Sequence, residues 1–228
     1  MTLNQIKIAL YATYLTNYCG FKLKKITSTV EKKRIRIEYA TKILSKLNIK
    51  INVINPQKIP LDGQYLLVSN HRSVIDPLIV DIAVKNSTLF GHWIAKKELH
   101  NSFFFGSFVR SAGTILVDRE EAQMSNFFKD IKTQVKNGNS IYIFPEGTRN
   151  KTLNPIGEFQ GGAQIIAMKN RLPILPIYIK TQANDILMAS LKSGTESFVV
   201  DVEFGNIIDP KDRTLTLQEV YKKEFNIK

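Results

Sequence analysis

The chain is short of cysteine, short of histidine and without a long apolar run, and each shortage removes a class of protein. One cysteine in 228 residues, Cys19, leaves no internal disulfide and no Cys-x-x-Cys metal or redox motif, which fits a reducing compartment. The three histidines, His71, His92 and His100, lack a metal-ligand spacing, so no metal is expected. The longest uncharged run near the start, Ile8 to Phe21, lies between Lys7 and Lys22 and carries Thr13, Thr16 and Asn17. It is too short and too polar to span a bilayer. No small-residue cleavage site follows it, and the basic segment comes after the apolar one, which is the wrong order for a cleaved signal. There is no internal repeat and no low-complexity linker.

Acidic residues are also in deficit. With 32 Lys+Arg against 20 Asp+Glu the net charge is +12, so the expected partners are polyanions: nucleic acid, anionic lipid, or phosphorylated and CoA-like substrates. Charge alone does not choose among them.

What is present suits a folded enzyme-sized domain. The hydrophobic content of 43% over this length supports one sizeable core. From Lys22 to Lys50 the chain is crowded with cations, interleaved with Ile26, Val30, Ile35, Ile37, Ala40, Ile43, Leu44 and Leu47, several of them at three- and four-residue spacing. Two readings fit: a basic amphipathic helix lying on an anionic membrane beside a short apolar one, or a helix packed on the domain with a solvated basic face. Beyond Ile51, strand-like runs alternate with helix-like ones. Strands are expected at 65–68, 89–95, 114–117, 140–144, 173–179 and 198–204, and helices at 78–83, 121–135, 161–169 and 215–225. This rhythm predicts an α/β fold with a largely parallel sheet flanked by helices. Residues 1–50 are expected to form a basic, membrane-associating helical element and 51–228 the catalytic domain. The Phe103 to Phe108 run is either core or a surface that dips into lipid, with core favoured.

Three polar clusters fall where a strand ends and a loop begins, the place where open α/β sheets carry their sites. The first is Ser69-Asn70-His71-Arg72-Ser73-Val74-Ile75-Asp76-Pro77. Asp76 with Pro77 reads as a helix start, with Asp76 as cap and proline at the first helical position. A turn folded back onto that helix start would bring His71 and Asp76 together as a His–carboxylate dyad suited to general-base catalysis. The alternative is a capping aspartate and a turn histidine bonded to backbone. The second cluster leaves Arg119 at the end of the strand 114–117, able to clamp a phosphate or merely to pair with Asp118. The third, Phe144-Pro145-Glu146-Gly147-Thr148-Arg149, packs a carboxylate, a glycine, a hydroxyl and an arginine into four residues and could cradle an oxyanion.

Asn70-His71-x4-Asp76, the glycine-to-Asp118-Arg119 strand, Phe144 to Arg149, and Leu172-Pro173-Ile174-Leu175-Pro176, in this order, resemble the glycerolipid acyltransferase family. Within it, the pattern is most similar to the bacterial 1-acyl-sn-glycerol-3-phosphate (lysophosphatidic acid) acyltransferases. The match runs from Leu61 to Ile179. The resemblance implies that His71 deprotonates the acceptor hydroxyl while Asp76 orients it. It implies a substrate-binding set of Asn70, Arg72, Ser73, Lys96, Arg119, Glu146, Gly147, Thr148 and Arg149. It further implies direct attack of the hydroxyl on the thioester of acyl-CoA or acyl-carrier protein, with no cofactor; Ser73 is the one hydroxyl in the first motif that could itself take an acyl group. The implied partners are a phospholipid surface, a lysophospholipid acceptor and the acyl donor, with no nucleic acid, and the implied location is the cytoplasmic face of the cytoplasmic membrane. The chain departs from many relatives in carrying Gln160-Gly161, not lysine, before Gly162, and in lacking a clear membrane-spanning helix. A non-catalytic module for anionic membrane or nucleic acid is the alternative from another class; it leaves the strand-end motifs unexplained.

Overall fold

Seven strands, β1 (Ile49–Ile54), β2 (Leu66–Ser69), β3 (Gly91–Lys96), β4 (Ile115–Val117), β5 (Ser140–Ile143), β6 (Ile174–Ile179) and β7 (Phe198–Phe204), form one sheet in the order β1-β7-β6-β2-β5-β3-β4 in the computed structural model. The structure describes residues 2–102, 105–117 and 121–228. All pairings in the sheet are parallel except β6 with β7. The expected α/β class with a largely parallel sheet is therefore what the chain adopts.

The central strands β2 and β6 are apolar on both faces because helices cover both. Successive side chains point to opposite sides. Leu67, Tyr142, Leu175 and Ile177 face a layer built from α1 (Leu3–Lys24), α2 (Thr29–Lys46), α3 (Asp76–Ala83) and α8 (Ala183–Ser193). Leu66, Val68, Ile141 and Ile174 face the opposite layer of α6 (Glu121–Lys136), α7 (Gly162–Asn170) and α9 (Leu217–Glu224). Two short helices, α4 (Lys97–His100) and α5 (Gly106–Ser111), follow β3. Strand β1 and helices α4, α5 and α8 carry no strong pattern of their own and are the elements the sequence reading did not delineate.

Within the basic stretch, α2 packs on the domain. The apolar face of α2, with Ile35, Tyr39, Ala40, Ile43 and Leu44, is buried in the core shared with α3 and β1; Arg36 is buried as well, while Arg34, Lys42 and Lys46 are exposed. Helix α1 differs. It buries Ile8, Leu15, Cys19 and Leu23 yet exposes Leu3, Ile6, Leu10, Tyr14, Tyr18 and Phe21 along the other side. Among the described residues no helix is long and apolar enough to cross a membrane. Of the Phe103 to Phe108 run, Phe103 and Phe104 lie outside the described residues; Phe105 is exposed, whereas Phe108 packs on Tyr39 with ring centroids 4.4 Å apart.

Candidate active site

Because β6, β2, β5, β3 and β4 are neighbours and mutually parallel, their carboxyl ends lie along one edge of the sheet. The turn after β2 carries His71, the loop after β5 carries Glu146 to Arg149, and β3 ends at Lys96. Arg119 follows β4 in sequence but lies, with Asp118, outside the described residues.

His71 and Asp76 meet: Nδ1 is 2.8 Å from Oδ2. Asp76 is fully buried, and the same Oδ2 accepts the backbone N–H groups of Arg72 at 2.6 Å and Ser73 at 2.7 Å. A carboxylate oxygen taking three bonds is an acceptor throughout, so Nδ1 carries the ring proton and Nε2 is left as the basic nitrogen. This corrects the expected capping role. The helix starts one residue earlier than read, with Asp76 as its first residue after Ile75, and the carboxylate turns back to close the 71–73 turn instead of capping its own first turn.

The loop after β5 holds the histidine from the other side. Glu146 Oε1 accepts the His71 N–H at 2.9 Å, and the Asn150 N–H donates to the His71 carbonyl at 2.7 Å. Phe144 lies flat on the imidazole, with centroids 4.0 Å apart and planes 9° apart. Burial pushes the Glu146 carboxyl up, with the His71 and Gly157 peptide N–H groups pulling the other way. Gly157 is required by close approach, since a Cβ there would come within 2.6 Å of Glu146 Oε2. Gly147 sits at φ 65°, where a side chain is disfavoured, and this turns the chain so that Thr148 and Arg149 stand exposed at the edge.

Of the nine expected substrate contacts, Arg119 lies outside the described residues and the other eight divide into two groups. Lys96, Thr148 and Arg149 are exposed at the carboxyl edge, with Gly147 shaping the turn. Asn70, Arg72, Ser73 and Glu146 are buried and hold the framework. The Asn70 amide clamps β6, donating to the Ile179 carbonyl at 3.1 Å and accepting the Ile179 N–H at 2.8 Å. Arg72 turns its guanidinium onto the Thr152 and Asn154 carbonyls, tying the 150–157 loop to the turn. The Ser73 hydroxyl is fully buried and accepts the Ile75 N–H. Gln160 donates its N–H to the Pro145 carbonyl at 2.8 Å.

The other two histidines are elsewhere. His92 is buried on β3 with Nδ1 2.5 Å from the Gly113 carbonyl, and burial lowers it to about 4. His100 ends α4, and desolvation together with the nearby Arg110 cation lowers it from its ordinary value. Among the described residues no cluster of His, Cys, Asp or Glu could hold a metal. Sequence reasoning missed Phe144 as a contact of His71, and missed Asn150 and Gly157. Phe144 stood in plain view at the strand end, but only the sheet register, with Val68 beside Ile143, brings it against the turn after β2.

The Acyltransferase family model matches residues 50–180, more than half of the chain, so the chain belongs to that family. The chain is 32% identical over 171 residues to a 1-acyl-sn-glycerol-3-phosphate acyltransferase of Streptococcus pneumoniae, covering 75% of this chain and 60% of that protein. It is 37% identical over 118 residues to the protein of the same name from Helicobacter pylori, covering 51% and 48%. The chain thus spans about half to three fifths of the length of these relatives. In fold it is similar to the crystal structure of the 1-acyl-sn-glycerophosphate acyltransferase of Thermotoga maritima, with a TM-score of 0.69 at 20% identity, covering 97% of this chain and 92% of that one.

Proposed function

We propose that the chain transfers a fatty acyl group from an acyl thioester, acyl-CoA or acyl-carrier protein, to the free hydroxyl of lysophosphatidic acid, giving phosphatidic acid. The observation that carries this reading is the 2.8 Å bond between His71 Nδ1 and Asp76 Oδ2, which fixes the tautomer that makes Nε2 a base. Nε2 takes the proton of the acceptor hydroxyl as its oxygen attacks the thioester carbonyl. The C–S bond then breaks, and the departing sulfur takes the proton back from the imidazolium. The ester and the free thiol are the products, and the enzyme is unchanged.

The acceptor phosphate is assigned to Arg149, Lys96 and Arg119, whose cations can pair with it in charge-assisted bonds. Thr148 and the Gly147 turn serve the glycerol, while Asn70, Arg72, Ser73 and Glu146 hold the turn that presents His71. The names of the relatives support the choice of acceptor. The exposed apolar side of α1, with Lys22 over the Tyr18 ring and Lys25 over the Phe21 ring, supports attachment to an anionic lipid surface without a spanning helix, on the cytoplasmic face where the thioester donors are made.

The test is product formation by the purified protein in mixed micelles, with acyl-CoA and acyl-carrier protein as separate arms. Labelled phosphatidic acid from lysophosphatidic acid supports the assignment. Transfer to glycerol-3-phosphate or another lysolipid with none to lysophosphatidic acid would replace the acceptor, and no transfer in any arm would overturn the reading.

A further inference from the structure

The bond to Asp76 constrains the His71 ring at one atom only. Held by that bond and by its own Cβ–Cγ tether, the ring can still rock about χ2 within the tolerance of one hydrogen bond, and the direction of Nε2 rocks with it. Three aromatic side chains, from β3, β5 and the residue that follows β5, supply the missing constraint. Phe144 stacks on the imidazole with centroids 4.0 Å apart and planes 9° apart. Trp93 in turn stacks against Phe144, at 4.6 Å and 22°, and meets Tyr142 edge to face at 5.2 Å and 87°. The arrangement follows from register, because Trp93 on β3 pairs with Tyr142 on β5, two residues before Phe144. Tyr142 is itself fixed, being nearly fully buried with the Arg36 guanidinium 5.7 Å from its ring centre.

We infer that Phe144, backed by Trp93, is a positioning residue for His71: it holds the imidazole plane so that Nε2 keeps one direction, and it presents a π-face to the cation formed when Nε2 takes a proton. The inference rests on the proposed role of His71 as base. A flat aromatic contact resists tilting because any rotation loses face-to-face dispersion contact over the whole ring. The negative face of Phe144 also favours the imidazolium formed on proton transfer over the neutral ring. Both effects act on turnover and neither touches the acceptor, so they belong in kcat and not in KM.

The test is the full-length protein carrying Phe144→Leu, Phe144→Tyr and Trp93→Leu, read in two independent ways. In proton NMR the His71 ring signals, identified by their loss in His71→Ala, should lie upfield in the wild type because Phe144 shields them. They should move downfield in Phe144→Leu and stay upfield in Phe144→Tyr. In steady-state kinetics, Phe144→Leu should lower kcat on the order of tenfold with KM for the acceptor within about twofold, and Phe144→Tyr should recover most of the loss. Should Phe144→Leu fail to fold, Trp93→Leu, which removes the backing ring, is expected to give a smaller change of the same sign in both readouts. The inference is overturned if the ring signals do not respond, if kcat holds within about twofold, or if Tyr is as damaging as Leu. The two readings fail separately: absent transfer by the wild type overturns the proposed function, and the ring signals still decide whether Phe144 holds the histidine.

Discussion

The backbone N–H of His71 donates to Glu146 Oε1 at 2.9 Å, joining the turn after β2 to the loop after β5 across 75 residues of sequence. Both groups are away from bulk water, with Glu146 buried. Glu146→Ala strands the His71 N–H, at a cost of about 1–3 kcal/mol, whereas Glu146→Gln keeps an acceptor oxygen there. Thermal unfolding and kcat should therefore both rank Gln above Ala. Equal losses in the two variants would mean that the carboxylate charge, not the bond, is what the site needs.

Asp76→Asn sets a sharper test of the base. Three donors converge on Oδ2, and an amide offers one acceptor and one donor, so it cannot reproduce a carboxylate that accepts throughout. The ring loses the partner that keeps its proton on Nδ1. We expect kcat to fall by about 10²–10⁴, with the fold retained by circular dichroism. A variant with near-normal turnover would remove Asp76 from the mechanism.

Acid sensitivity should come from His92. Its folded value of about 4 lies below the ordinary 6.5, because burial disfavours the cation while the Gly113 carbonyl opposes the shift. Between those values the unfolded chain binds the proton and the folded one does not, so stability is fully present above pH 6.5 and is lost as pH falls toward 4. The loss amounts to about 3 kcal/mol. Chemical denaturation across that window should show the decline in the wild type and a flatter profile in His92→Gln.

Helix α2 is fastened to the catalytic layer by one buried ion pair. Arg36 Nε donates to Asp81 Oδ2 on α3 at 3.1 Å, and the guanidinium also reaches the Gly91 carbonyl. Arg36→Met leaves a buried carboxylate unpaired and should cost about 3–5 kcal/mol, while Arg36→Met with Asp81→Leu should recover most of it. Equal destabilisation in the single and double variants, by urea titration, would show that packing and not charge fastens the helix.

The outer side of α1 carries the attachment proposed above. Leu10→Asp with Phe21→Asp places two charges in a stripe that is exposed already, so the fold should be unaffected. Sedimentation with anionic vesicles should drop sharply, with turnover on detergent-dispersed substrate preserved. Undiminished vesicle binding would move the attachment to another face.

The sheet was legible because its strands are short apolar runs ending in polar loops, and six of its seven were anticipated. Strand β1 was not, since Ile49–Ile54 is interrupted by Lys50 and Asn52 and owes its place to pairing with β7, about 150 residues later. Helix α8 has a weak start and is held by burial of Ala183 and Leu187. In the site, spacing suggested that His71 and Asp76 could meet, but it could not show that Asn70 and Arg72 spend their polar groups on Ile179 and the 152–154 carbonyls. Residue type alone does not say which polar group faces a ligand and which closes a loop. The basic stretch 22–50 held a related ambiguity: the apolar face of α2 is spent on the core, and the exposed apolar side belongs to α1.

The most direct measurement is thiol release from acyl-CoA or acyl-carrier protein by wild-type protein and by His71→Ala, each with and without lysophosphatidic acid. The account predicts release that requires both the lysolipid and His71. Release by His71→Ala at the wild-type rate, or release by the wild type independent of the acceptor, would contradict it.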